Sequence, residues 1–150
     1  MRIYRGKTKQ NGEWVYGYFV REKSYCCIWQ GEDNVHPAEY PYFDENTGTI
    51  DGKLTPVLLE SVGQCSMVKD ENDIDMFEGD IVSGALSWLE HKKYGIVAFR
   101  EGSFGLLWYR GETEQFNPFT SMCNIQYEVV GNIIDNKEFY ESEVLPNEIF

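Results

Sequence analysis

The chain has 150 residues, 42% of them hydrophobic and 15% aromatic. That is enough for one domain, or one with a small appendage, and enough apolar surface to exclude disorder as its main state. Thirteen basic and 25 acidic side chains leave a formal charge of −12, which argues against a general binder of duplex DNA, RNA or anionic membrane, because affinity for those comes mostly from positive charge.

In chain order the text is strand text. Ile3 to Lys7 and Glu13 to Val20 read as a hairpin around Asn11-Gly12, two residues that tolerate positive φ. Trp14-Val15-Tyr16-Gly17-Tyr18-Phe19-Val20 is aromatic and β-branched, and Tyr25 to Trp29 is a further short strand. Residues 30–61 are punctuated by His36-Pro37, Tyr40-Pro41, Asn46-Thr47-Gly48 and Asp51-Gly52, and read as loop with one small hairpin. Ser61 to Met67 is extended, Lys69 to Asp75 an acidic loop, and Phe77-Glu78-Gly79-Asp80-Ile81-Val82 a tight turn running into a strand. Gly79 permits the turn and Asp80 can hydrogen-bond the backbone there. Gly95 to Arg100 and Phe104 to Tyr109 form a hairpin bent at Glu101-Gly102-Ser103, with Val97, Phe99, Phe104 and Leu106 available to one core. Tyr127 to Ile134 is a last strand, with Tyr127, Val129 and Gly131 on one side and Glu128 and Val130 on the other. Two segments have helical spacing: Ala85 to Lys92, and Asn136 to Val144 with Asn136 as its cap. Short strands with turns between them predict an all-β architecture, and the segment from Phe77 has the shape of a small SH3-like barrel.

These residues resemble the YopX family. Tyr4-Arg5-Gly6-Lys7 followed by Asn11-Gly12-Glu13-Trp14-Val15-Tyr16-Gly17-Tyr18 is similar to its opening signature. Val62-Gly63-Gln64, Lys69-Asp70 and Phe77 to Val82 resemble its centre. Gly95 to Phe99 with Gly102 and Phe104 resembles its hairpin, and Glu128 to Ile133 its closing strand. Two steps depart from the pattern: Cys65-Ser66-Met67 stands for Thr-Gly-Leu, and Glu71-Asn72-Asp73 for Lys-Asn-Gly. The resemblance implies a phage or prophage protein with an all-β fold: N-terminal strands and loops over 1–61, an SH3-like barrel portion over about 62–136, and a tail or short helix over 137–150. It supplies no biochemical activity and no catalytic residues to carry over.

The residues name no reaction. His36 and His91 lie far apart without ligand partners, and a zinc site from Cys65, Cys123 and a histidine has no spacing to support it. Asp44-x-Asn46-x-Gly48 starts like a calcium loop, but Thr55 stands where the closing carboxylate belongs, so an Asx turn is the expectation. Asp70, Asp73, Asp75, Glu78 and Asp80 have the composition of a nuclease metal cluster, although a solvated acidic loop explains them with less. There is no nucleophile elbow and no phosphate loop. No cofactor is expected. The four cysteines, Cys26, Cys27, Cys65 and Cys123, form no C-x-x-C pair and read as small buried or half-buried side chains.

The polar opening MRIYRGKTKQNGEW and the short apolar runs predict no signal peptide and no membrane span, hence a cytoplasmic protein of the bacterial host. The charge is uneven: residues 1–23 carry six basic and two acidic side chains, residues 24–150 seven and twenty-three. Arg5, Lys7, Trp14, Tyr16 and Tyr18 are therefore the candidate interaction surface, and Gly79 with Asp80 the candidate structural turn. The expected role is a non-enzymatic module that contacts an unidentified host or phage protein. Alternatives are a nucleic-acid-related role, as a single-strand binder or acidic DNA mimic, and a metal-dependent nuclease. Alternation puts Trp14, Tyr16 and Tyr18 on one face of their strand. Only one face packs on the chain's own core, so the other needs cover from residues 24–61 or from a second copy in a homo-oligomer.

Overall fold

A computed structural model describes residues 3–21, 26–30, 43–44, 49–50, 54–84, 93–119 and 127–146. It is all-β, with every strand pairing antiparallel. The chain divides into two compact units, Met1–Cys65 and Ser66–Phe150.

In the first unit, strands β1 (Tyr4–Lys7), β2 (Trp14–Arg21), β3 (Cys26–Trp29), β4 (Phe43–Asp44), β5 (Thr49–Ile50) and β6 (Leu54–Pro56) are followed by a 3-10 turn at Leu59–Ser61 and the start of β7 (Gly63–Lys69). The order across the sheet is β4-β5-β6-β3-β2-β1-β7. The β1–β2 loop differs from the tight Asn-Gly turn expected. Lys7 pairs with Trp14, the Thr8 N–H donates to the Glu13 carbonyl at 2.8 Å, and only Gly12, not Asn11, has a positive φ (71°). Asn11 instead turns its side-chain oxygen inward, accepting from the Thr8 hydroxyl and from the Glu13 N–H at 3.0 Å. The loop is longer because these side-chain bonds do the work of the second left-handed residue. Beyond Lys7, Thr8 bridges Val57, so the end of β1 is laced to the segment after β6.

The second unit contains the rest of β7, β8 (Asp75–Phe77), β9 (Asp80–Gly84), β10 (Lys93–Arg100), β11 (Ser103–Arg110), β12 (Thr113–Pro118) and β13 (Tyr127–Asn132). Its five-stranded sheet has the order β12-β11-β10-β9-β13 and is open, not a closed barrel, among the described residues. β10 and β11 turn at Glu101-Gly102, both left-handed (φ 51° and 82°), as the hairpin signal predicts. β12 has no counterpart in the sequence expectations. The last strand also departs from simple alternation: Val129 pairs with Val82 and Gly131 with Ile81, so Val130 is an extra, bulged residue, 42% exposed. One face of the sheet carries Val82, Val97, Leu106, Trp108 and Tyr127 of the main core, and Met76 of β8 packs with them. Phe104 packs on that core; its cross-strand partner Phe99, expected there too, is 50% exposed, with its ring centroid 4.9 Å from that of Phe104.

A second cluster, Ile81, Ile96 and Val144, is completed by Tyr94, Ile133, Phe139 and Tyr140. It holds down one α turn, α1 (Lys137–Phe139), which continues into a wider π turn at Tyr140–Val144. So short a helix is unstable alone and depends on this packing. Asn136 stands at its N-terminus but makes no side-chain cap; its oxygen accepts from the Asn132 N–H at 3.0 Å. The helix expected over Ala85 to Lys92 lies outside the described residues, as do Tyr25, Asp51 and Gly52. No described helix is long and apolar enough to cross a membrane.

Candidate interaction surface and acidic turn

The pairing of β1 with β2 sets Arg5 opposite Tyr16 and Lys7 opposite Trp14; that of β2 with β3 sets Tyr18 opposite Trp29. Directly paired residues share a face, so Arg5, Lys7, Trp14, Tyr16 and Tyr18 all lie on one side of the sheet. They do different things there. The Arg5 guanidinium carbon sits 4.7 Å from the centroid of the Trp14 ring, and Arg5 is only 7% exposed. A weakly hydrated, planar cation against an indole is a favourable arrangement, more so when partly desolvated. Tyr18 turns to the core, packing with Val20 on Cys27, Trp29 and Leu54. Trp29 and Leu54 stand beside Tyr18 on the same face of the sheet, on the neighbouring strands β3 and β6. Tyr16 remains 50% exposed, with Lys7 and Trp14 half-buried.

The opposite face is closely packed. The Tyr4 and Phe19 rings lie 5.6 Å apart, and Ile28 and Val57 are fully buried. Gly17 is required there by space: a Cβ would fall 1.9 Å from the Trp29 carbonyl oxygen. The backbone of β1 is held as well. The Lys7 N–H donates to Ser61 Oγ at 2.7 Å, and the Lys7 carbonyl accepts from the Leu58 N–H at 2.9 Å.

The acidic residues of 70–80 separate into different roles. Asp70, 7% exposed, accepts from the Asn72 and Ile74 N–H groups on Oδ1 (2.8 and 2.9 Å) and from the Val129 N–H on Oδ2 (3.0 Å). Burial opposes its charge, but these three donors, from Val129, Ile74 and Asn72, outweigh it and hold the carboxyl below its ordinary range. Asp80, 2% exposed, accepts from the Phe77 N–H on Oδ2 at 2.8 Å, across the turn that contains Gly79 (φ 88°). The Gly79 N–H donates to the Val97 carbonyl, and its own carbonyl accepts from the Ile133 N–H, both at 2.9 Å. Asp75 pairs with Lys69 at 3.3 Å on the surface. Among the described residues no three His, Cys, Asp or Glu side chains converge as a metal-ligand set.

Burial pushes the Cys27 thiol up to about 12, with the neighbouring Cys26 adding to the effect. Cys26 is raised too, by burial, against the opposing charges of Arg21 and Lys9. Cys65 is buried. His36, His91, Cys123, Asn46 and Gly48 lie outside the described residues. What the sequence did not reveal is Asp70 as an anchor. Its acidic neighbours suggested a loop, but nothing local points to Val129.

No curated protein matches the chain. The family model described as YopX protein matches residues 3–141, nearly the whole length. The four stretches that resembled that family fall within the match, and the chain belongs to the YopX family.

Proposed function

We propose that this is a phage- or prophage-encoded accessory protein that works in the host cytoplasm by contacting another protein through its β1–β2 hairpin, without catalysis. The observation that carries the reading is the Arg5–Trp14 stack beside a half-exposed Tyr16, in the basic part of an acidic chain. Fixed aromatic and guanidinium groups lose little entropy on binding and dominate many protein interfaces. The buried carboxylates support it too, since Asp70 and Asp80 are occupied with backbone donors rather than turned toward a common ion. The second unit is read as the SH3-like portion: β9 to β12 form a meander, and β13 returns to pair with β9, the strand order of such barrels.

The test is affinity capture from host lysate with the wild type and Tyr16→Ser, which changes an exposed side chain. A stoichiometric protein held by the wild type and lost by the variant, at equal melting temperature, supports the reading. Metal-dependent turnover that disappears in Asp75→Asn with Glu78→Gln overturns it. The same aromatic and cationic groups favour single-stranded nucleic acid as a second partner class. An oligonucleotide gel shift that Tyr16→Ser weakens would replace the protein partner with that one.

A further inference from the structure

Asn11-Gly12 is the one Asn-Gly step in the chain. Such a step carries its own chemistry, because glycine has no Cβ to obstruct an approach of its nitrogen to the preceding side chain. The Gly12 N–H gives its proton to hydroxide. Its nitrogen then bonds to Asn11 Cγ, the Cγ–Nδ2 bond breaks, and ammonia leaves with a proton taken from water. The five-membered imide so formed adds water at either carbonyl. Opening one way leaves aspartate; opening the other leaves isoaspartate, whose backbone runs through Cβ.

The β1–β2 loop holds both reacting groups, and Thr8 touches each of them. Its carbonyl accepts from the Gly12 N–H at 3.1 Å, so the proton that has to leave is engaged. Its hydroxyl donates to Asn11 Oδ1, which also accepts from the Glu13 N–H at 3.0 Å, so Cγ is not free to turn toward the Gly12 nitrogen. Thr8 is itself only 7% exposed, with its N–H on the Glu13 carbonyl and its backbone bridged to Val57. Asn11 and Gly12 are exposed, so water reaches them whenever the loop opens. A backbone N–H can only donate, which fixes the bonded atom of Asn11 as oxygen. The leaving nitrogen, Nδ2, makes no hydrogen bond among the described residues.

We propose that Asn11 is a modification site at which the chain deamidates by itself, at a rate set by Thr8, to an aspartate that the loop retains. The remaining oxygen keeps both donors and gains charge, and hydrogen bonds to an ionised acceptor are roughly twice as strong. Isoaspartate lengthens the backbone before Gly12 and takes its N–H off the Thr8 carbonyl. The aspartyl product therefore closes the same loop, and the isoaspartyl product does not. The new charge arises beside the candidate interaction face, since a Cβ on Gly12 would lie 3.4 Å from Lys7 Cε. Residues 1–23 then carry six basic and three acidic side chains in place of six and two.

The experiment ages the full-length protein at mildly alkaline pH and maps the tryptic peptide from Gln10 to Arg21, with the asparagine, aspartate and isoaspartate forms separated. The same chain in urea gives the unrestrained rate. Folded wild type is expected to lose Asn11 roughly ten- to a hundredfold more slowly than in urea. That slowdown should match the hydrogen-exchange protection of the Gly12 amide within about threefold, because one opening frees both. Thr8→Val should speed the folded reaction about fivefold to tenfold, while Thr8→Ser, which keeps the hydroxyl, stays at the wild-type rate. Asn11→Asp should melt at or above wild type at neutral pH. The proposal is overturned by a folded sample with no aspartate or isoaspartate at position 11, by equal rates in folded and urea samples, or by equal rates in wild type and folded Thr8→Val. A slowdown that departs from Gly12 protection overturns it too, and that comparison needs no variant if Thr8→Val does not fold. An Asn11→Asp chain that melts below wild type removes the retained product.

Discussion

Removing the carboxylate of Asp70 tests how the second unit ties its acidic turn to its last strand. Asp70→Ala deletes the acceptor for the Asn72, Ile74 and Val129 N–H groups. A hydrogen bond to a charged group contributes about 1.5–3 kcal/mol net, so three would approach roughly 6 kcal/mol if all were fully lost. Asn72 and Ile74 are exposed, and water replaces most of what their N–H groups lose. Val129 is half-buried and pairs with Val82 in the sheet, so its donor is the costly one. Relief of the buried charge offsets part of the sum. The expected loss is about 3 kcal/mol, read as a shift of the urea midpoint at constant slope. Asp70→Asn keeps one oxygen for the turn but points an NH2 at the Val129 N–H, and should lose about 2 kcal/mol. The pH dependence has a definite sign. The folded carboxyl is held below its unfolded value, so its contribution is complete above the ordinary aspartate pKa, about 3.9, and fades as pH falls through the folded value. The gap between wild type and Asp70→Ala should be flat from neutral pH to about 5 and close below about 4. A loss under about 1 kcal/mol, or a gap that widens in acid, refutes the account.

Gly17→Ala should cost about 3 kcal/mol or more, measured by thermal melting, because its Cβ falls on the Trp29 carbonyl and β2 and β3 must separate. Gly79→Val should lower stability by about 1–3 kcal/mol, since φ is 88° and both peptide groups of the turn are bonded in place. Trp14→Ala exposes a buried guanidinium to a cavity and should cost about 2 kcal/mol; Trp14→Phe should recover part of it. With iodoacetamide at pH 8 and mass mapping, Cys26 should label before Cys27, whose thiol at about 12 is almost wholly protonated.

The parts of the fold that were legible are those where one residue type has few conformational choices. Gly102 after Glu101 announced the β10–β11 hairpin, and the aromatic, β-branched run announced β2. β12 was missed because Thr113-Glu114-Gln115-Phe116-Asn117-Pro118 is polar and ends in turn formers. Proline is tolerated at a sheet edge, where one side of the ladder is unused. The bulge at Val130 was hidden, since inserting one residue leaves composition unchanged and only register reveals it. The candidate surface was legible as a face, because alternation in paired strands fixes facing. Its internal division was not. That Arg5 is buried against Trp14 while Tyr18 joins the core depends on β3 and β6, distant in sequence. The long-range bond from Asp70 to Val129 was out of reach for the same reason.

The way β1 is hemmed in determines how anything can be recognised there. β2 lies along one side; on the other are Gly63 and Gln64, Ser61 Oγ, the Leu58 N–H and the bridge from Thr8 to Val57. A visiting chain thus finds no unpaired ladder along β1 and cannot join the sheet as an added strand. Recognition at this hairpin has to run through side chains projecting from the face. Its affinity should therefore fall with salt and with loss of the Tyr16 ring, yet be indifferent to N-methylation of a partner peptide's backbone.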